Sequence, residues 1–591
     1  MAGITGRLFQ QFAITISEAT VYRSINALTM SPALCGVLLR PPSDKRPNIL
    51  FRGFNSVLEA TTRGYGGIVR IALRGAIVGL VLFLGLTVAS VLGFGRLPTG
   101  FVPQEDEGYC LVNVVLPEGS SLARTQEFQA TIDDIIQGAP GVENFLSISG
   151  YSILDGAVVP NSGFSYIVFK DWDDRSAEEH QSRILAYLNR EFSRLQDGVA
   201  YAFPMPSLPG VGLSGGFQLM LQDRGGVGLQ TLQQVASEFV ADGNSQRGLT
   251  GMNTTFRATN PQILVDIERD QILAKNLSMG SVFESLQYFL GSIYVNDFTL
   301  FDRVFQVKAQ ADAEFRAEPK QIRRIEVRNR SGDMVPLGSV ARITDVLGPQ
   351  TVTRYNMYPS AKILGQPAEG FSSGQAMAIV EDMAEKKLPA TMGTEWTELS
   401  YQEKTASGSS NVIFLLAIVL VYLVLAAQYE SWTIPVSVCL AVPTALLGAV
   451  LALIARSMNN DIYAQVGIVL LIGLSTKSAI LIVEFAKAQR ESGMSAFEAA
   501  LSAVKLRFRA VLMTAFSFIL GVVPLILATG AGAESRKVLG TTVFGGMLVA
   551  TVMSLMAVPM LYFIVQRSVE KLTGADRKAP AEGGSPPAVQ G

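Results

Sequence analysis

The stretch GLSTKSAILIVEF, Gly473 to Phe485, sets one lysine in the middle of a run otherwise fit for hydrocarbon. A charge at the centre of a membrane span costs at least about 2.5 to 3.5 kcal/mol, so Lys477 requires a carboxylate partner or a water-filled proton path. Snorkelling is disfavoured because Lys477 sits midway along the run, where its stem does not easily reach headgroups. Carboxylates that could answer it are scarce. No apolar run carries an aspartate near its centre; Glu484 lies two turns along the same run, near its charged end, and Glu18 lies in a weaker run near the start. Other chemistry is as thinly supplied. His180 is the only histidine, within a polar stretch, and Cys35, Cys110 and Cys439 are far apart. Neither a disulfide framework nor a CxxC metal site is on offer. With no nucleophile-base pattern, phosphate loop or metal-ligand spacing, the chain reads as no enzyme, with no metal and no cofactor.

The elements that must hold Lys477 are membrane spans. The 591 residues are 49% hydrophobic and 17% charged, with a formal net charge of -2, which is apolar for a soluble chain and lacks the basic bias of a nucleic-acid binder. Apolar runs of about 20 residues lie near 68–95, 411–427, 434–455, 466–486, 511–527 and 538–565, after a weaker one at 12–39. That predicts about seven spans, interrupted by a gap of roughly 300 residues from Arg96 to Gly408. Lys and Arg cluster between the first two runs, between Lys487 and Arg509, and after Val565, which puts those loops in the cytoplasm and the long insert on the opposite side. The same parity leaves the N-terminus outside, and no cleavable signal peptide is evident, since Arg7 is a thin positive region and Glu18 interrupts the apolar stretch after it. Glu18 and Arg23, five apart, do not stack as an i,i+4 pair, so the first segment inserts marginally by itself. Residues 569–591 are rich in Pro, Gly and Ala and read as a disordered tail.

The insert alternates like a mixed α+β domain. YCLVNVVLP from Tyr109 is a strand, and a helix begins after the Ser121 cap. VENFLSISG and FSYIVFKDW are two more strands, SAEEHQSRILAYLNREFSRLQ is a second helix, and VAYAFPM closes the unit. This order is the split βαβ pattern of a ferredoxin-like subdomain. A second such unit is expected from FQLMLQD at Phe217, including the strand PQILVDIE, with a hairpin-like excursion at YVNDFTLFDRVFQVKAQ.

FVPQEDEG (101–108), AAQYESWTIPVSVCLAVPTALLGA (426–449), GLSTKSAILIVEFAK (473–487), RFRAVLMTAFSFILGVVPL (507–525) and ATGAGAESRKVLGTTVFGGM resemble, in order and spacing, the permeases of the resistance-nodulation-division (RND) superfamily. The multidrug branch, which exports hydrophobes and amphiphiles, is the nearest likeness. The resemblance covers Phe12 to about Val569 and corresponds to the C-terminal half of such a permease plus the last span of its N-terminal half. It implies an α/β membrane protein: a helical bundle with a large periplasmic insert of ferredoxin-like porter subdomains and a docking subdomain. The implied divisions are 1–40 (last span of the first repeat), 41–70 (amphipathic cytoplasmic linker), 71–95 (span), 96–408 (porter and docking), 409–568 (five-span bundle) and 569–591 (tail).

In the family the lysine matching Lys477 pairs with adjacent aspartates in the fourth span, whose protonation drives transport; Arg507 and Thr514, on one helical face, match the other relay members. No span here supplies those aspartates. The resemblance carries Leu146, Ile148, Tyr151, Ile153 and Tyr166 onto a deep drug pocket, with a switch loop between Ser149 and Pro160 that contains Asp155. Tyr201, Phe203 and Met205 match an outer pocket. The hairpin Asp297 to Val307 matches an arm that docks one protomer into the next. The resemblance thus implies a proton-driven exporter of the bacterial inner membrane, multi-pass and homotrimeric, working with a periplasmic adaptor, an outer-membrane channel and, if another chain supplies it, the missing N-terminal half. The alternatives are a non-transporting remnant or assembly module, and a heavy-metal exporter of the same superfamily.

Overall fold

The computed structural model describes residues 3–39, 49–213, 215–406 and 410–573. Among them, six helices are long and apolar enough to cross a membrane: Ala76–Arg96, Val412–Tyr429, Ile434–Ala455, Ile462–Glu491, Ala496–Ile526 and Ala533–Lys571. The segment 12–39, expected as a further span, is not one of them. It forms helices Gly3–Leu28 and Met30–Leu38; Pro32 has no N–H to offer the Leu28 carbonyl, which favours a break there. Of the first helix only Gly6 is buried. The linker expected over 41–70 is helical from Ile49 and runs on to Arg74, so the span starts at Ala76 rather than at 71. The tail's last described residues belong to the long helix ending at Thr573; the remainder lies outside the described residues.

The helices pack around the long final helix, Ala533–Thr573. Close approach rests on small residues: a Cβ on Gly448 would lie 2.3 Å from the carbonyl oxygen of Gly545, so only glycine lets these two helices touch there. The amphipathic helix Ile49–Arg74 is pinned to the bundle by Tyr65, which stacks on Phe508 at 4.6 Å and donates to the Leu555 carbonyl at 2.5 Å.

In the insert, strands Tyr109–Val115, Val142–Ser152, Ala157–Phe169 and Val199–Pro204 form one antiparallel sheet. The spatial order is second, third, first, fourth, and the connecting helices are Leu122–Gln137 and Gln181–Phe192. A second sheet takes Phe217–Asp223, Leu249–Thr254, Tyr358–Pro367 and Met392–Trp396, again with its first strand between the third and the fourth. PQILVDIE corrects the sequence reading. It is a strand, Asn260–Ile267, but it pairs with Ala341–Gly348 outside that sheet. The chain between them closes a separate core around Ile272, Leu277, Val282 and Leu337; alternation specifies a strand but not its partner.

FVPQEDEG joins the bundle to the insert. Asp106 forms an ion pair with Arg175 at 2.9 Å, with side-chain exposures of 11% and 4%, and its carboxylate also accepts from the backbone N–H groups of Gly108 and Gln181. Removing one partner of a buried pair strands the other charge and costs about 3–5 kcal/mol. Arg175→Ala is therefore expected to lower the stability of the insert by about 3 kcal/mol, read as an earlier denaturant midpoint in Trp172 fluorescence. Lys386→Ala, which loses only an exposed pair, should leave that midpoint in place.

Candidate functional site

The apolar face of the first sheet is built by strand alternation, because successive side chains on a strand point to opposite sheet faces. Cys110, Val112 and Val114, with Ile167, Phe169, Ala200 and Ala202, face the two helices and bury against Phe128, Ile132, Ile184 and Leu188. The intervening residues therefore line the helix-free face. Across it runs one register row, Leu146, Tyr166, Leu111, Phe203, and beside it a second, Ile148, Phe164, Asn113, Tyr201.

Six of the eight expected pocket residues meet here. Tyr151, Ile153, Tyr166, Tyr201, Phe203 and Met205 pack with Leu111, Leu154 and Phe164 and with Leu364 of the second sheet. Tyr201 and Phe203, with Met252, Asn253 and Leu364, line a cleft of about 570 Å³ between the two sheets. Leu146 and Ile148 do not join it. They lie on the edge strand and remain 59% and 39% exposed. The switch loop expected from Ser149 to Pro160 is also corrected: pairing of Tyr151 with Val158 and Ser152 with Ala157 leaves only a tight turn. Ser152 Oγ donates to Asp155 Oδ2 across that turn at 2.7 Å.

The three relay candidates are not joined to one another by any hydrogen bond or ion pair among the described residues. Lys477 is exposed, on a stripe with Gly473, Glu484 and Ala488, while Ile472, Ser475, Thr476, Ala479 and Val483 of the same helix are buried in the bundle. The charge acting on it is a like one, that of Arg23. Arg507 lays its guanidinium 3.4 Å from the centroid of the Phe485 ring, and its buried Nε has no partner. Thr514 is exposed and donates to the carbonyls of its own helix, Val511 at 2.9 Å and Ala510 at 3.1 Å.

Two carboxylates missed in the sequence lie where the bundle meets the insert. Glu105, 4% exposed, accepts from the backbone N–H groups of Glu534 at 3.0 Å and Ser535 at 2.7 Å, and from the Ser535 hydroxyl. Asp461, 2% exposed, caps the lysine helix by accepting from the Ala464 N–H at 2.8 Å. Its acid has been pushed up to about 7, first by burial, against backbone hydrogen bonds that favour the charged form, and further by the Glu105 charge. Asp461 carried a readable signal, an aspartate directly ahead of a long apolar run. Glu105 carried none, because its partners lie some four hundred residues away.

A bundle of apolar helices joined to paired α+β units with a cleft between them is the arrangement the RND likeness implied, and known proteins bear the likeness out. The sequence profile of the AcrB/AcrD/AcrF family matches residues 1–566. The chain belongs to the AcrB/AcrD/AcrF family. The multidrug/solvent efflux pump membrane transporter MepB of Pseudomonas putida is 36% identical over 569 residues, covering 95% of this chain and 54% of the relative. The multidrug resistance protein MdtF of Escherichia coli (strain K12) is 35% identical over 575 residues, covering 96% and 55%. The multidrug export protein AcrF of the same strain is 35% identical over 573 residues, again covering 96% and 55%. The chain thus spans about half the length of the curated relatives it matches. These relatives are RND multidrug and solvent efflux transporters, which are not enzymes, and this family member is a membrane protein.

In this family member the Asp461 carboxyl titrates near 4 when unfolded and near 7 when folded. The folded state therefore holds the extra proton, and the stability tied to it is whole below pH ~4 and lost as pH rises through ~7. Asp461→Asn keeps an amide oxygen for the cap and removes this proton. The thermal midpoint of the native chain should fall relative to that variant between pH ~4 and ~7, measured in detergent.

Proposed function

We propose that this chain forms the C-terminal portion of a proton-driven RND permease that exports hydrophobic and amphiphilic compounds across the bacterial inner membrane. The two insert sheets are read as ferredoxin-like porter subdomains in the periplasm. Their cleft takes the substrate against Tyr201 and Phe203, with Tyr151, Ile153, Tyr166 and Met205 packed in the same apolar cluster, since aromatic and apolar walls bind varied amphiphiles by dispersion and stacking. Leu146 and Ile148, on the opposite edge strand of the first sheet, stand outside that cleft.

The observation that carries the reading is the intramembrane stripe of Lys477. A lysine held on the outer face of an apolar helix bundle is too costly to leave against lipid, so a further helical element bearing carboxylates is expected to cover it. That element would complete the proton relay with Arg507 and Thr514, and the part of the relatives' length that this chain does not span is its proposed source. The energy source is the proton gradient, with no cofactor. The exposed hairpin Ile293–Leu300 and Arg303–Ala309, with Phe298 stacked on Phe305 at 5.6 Å, supports a docking arm in a homotrimer. A periplasmic adaptor and an outer-membrane channel would complete a tripartite pump.

A second reading is favoured by one observation, the repulsive Arg23 beside Lys477: a non-transporting assembly module that folds and docks without energy coupling. Resistance assays separate the two. In a Gram-negative host lacking its own pumps, the chain should raise drug resistance only when co-expressed with the N-terminal repeat of a matching relative. Lys477→Ala should then abolish that resistance while leaving the crosslinked trimer intact. Resistance unaffected by Lys477→Ala would sink the relay, and no resistance with the partner present would favour the assembly module.

A further inference from the structure

Asn113 breaks the chemistry of the cleft wall. In its register row it stands between Phe164 and Tyr201, where the neighbouring row has Leu111 between Tyr166 and Phe203. It is 1% exposed, and both its amide nitrogen and its amide oxygen lack a hydrogen-bond partner. Buried polar atoms are almost always paired, so an amide orphaned at both ends marks a place where a ligand or water is expected. Its neighbours do not share this condition. Lys362 Nζ donates to the Leu154 carbonyl, Thr254 Oγ1 donates to the Lys362 carbonyl, and Tyr201 OH donates to Asn253 Oδ1.

Asn113 lines a separate cavity of about 140 Å³ whose lining includes the polar side chains of Ser152, Asn161 and Thr254. Val199, Tyr201 and Asn253 line both this cavity and the 570 Å³ cleft, so the two are adjoining compartments of one site. The small one has room for a polar head and the large one for an apolar body.

We propose that Asn113 is a specificity-determining residue that selects amphiphiles carrying a primary carboxamide or a lactam, which rests on the reading of the cleft as a substrate site. Such a group presents an N–H and a C=O side by side. Its N–H donates to Asn113 Oδ1 and its C=O accepts from Asn113 Nδ2, so both orphaned atoms are satisfied together. An ester of the same shape accepts from Nδ2 and leaves Oδ1 unpaired, and a site with a stranded polar group discriminates against such an analogue.

The test is calorimetric titration of the full chain in detergent with 2-naphthamide and with methyl 2-naphthoate, for the native protein and for Asn113→Leu. The native chain should prefer the amide by about tenfold, and the variant should lose that preference while still binding the ester. Asn113→Leu also removes two unsatisfied buried atoms, so the unliganded variant should melt no lower than the native chain. Equal binding of both probes, a preference surviving in the variant, or a lowered melting temperature would overturn the role of Asn113 alone. Binding of neither probe would overturn the substrate cleft as well.

Discussion

A helix begins with backbone N–H groups that nothing within the helix can satisfy, and the architecture of this chain turns on how one such end is met. The last and longest helix starts at Ala533, and its exposed donors are captured by Glu105, a carboxylate from the segment that leads into the insert. The positive end of the helix dipole adds to the attraction. One residue further, Asp106 holds Arg175, beside the second helix of the first sheet unit. Membrane bundle and insert are thus gripped by consecutive side chains. A displacement of the final helix has a short route to the sheet.

That sheet serves two environments at once. Its helix-covered face is a dry core, while the opposite face meets Leu364 and the Thr250–Asn253 segment of the second unit. Contact between the two units leaves a cleft rather than a sealed core, and Tyr201 and Phe203 line that space instead of filling it. The edge strand, which the second unit does not cover, keeps Leu146 and Ile148 in solvent.

In the bundle the logic is reversed. The inward stripe of the lysine helix is made of small and apolar residues that pack within the bundle, and the outward stripe carries Lys477. Burying the first set presents the second. Arg507 is stabilised differently, through the face of Phe485, which offers its quadrupole to the guanidinium without neutralising it.

The sequence alone determined the strands and most helices of the insert, the apolar runs of the bundle, the family likeness and the isolation of Lys477, because alternation, hydropathy and charge are local properties of the chain. It also brought Tyr166, Tyr201 and Phe203 to one face, since a period of two fixes which side chains travel together, whereas Tyr151 joins them past a register shift after Ser149. Tertiary structure alone decided what those faces meet. PQILVDIE reads as a strand in any sheet, and its pairing with Ala341–Gly348 comes with the separate core folded between them. The loop after Ser149 became paired strand because Ala157 and Val158 found ladder partners. Glu105 reads as an ordinary surface acid, and Asn113 as an ordinary strand residue. Their significance arises from groups far along the chain, and no local pattern encodes a contact whose two sides are brought together only by folding.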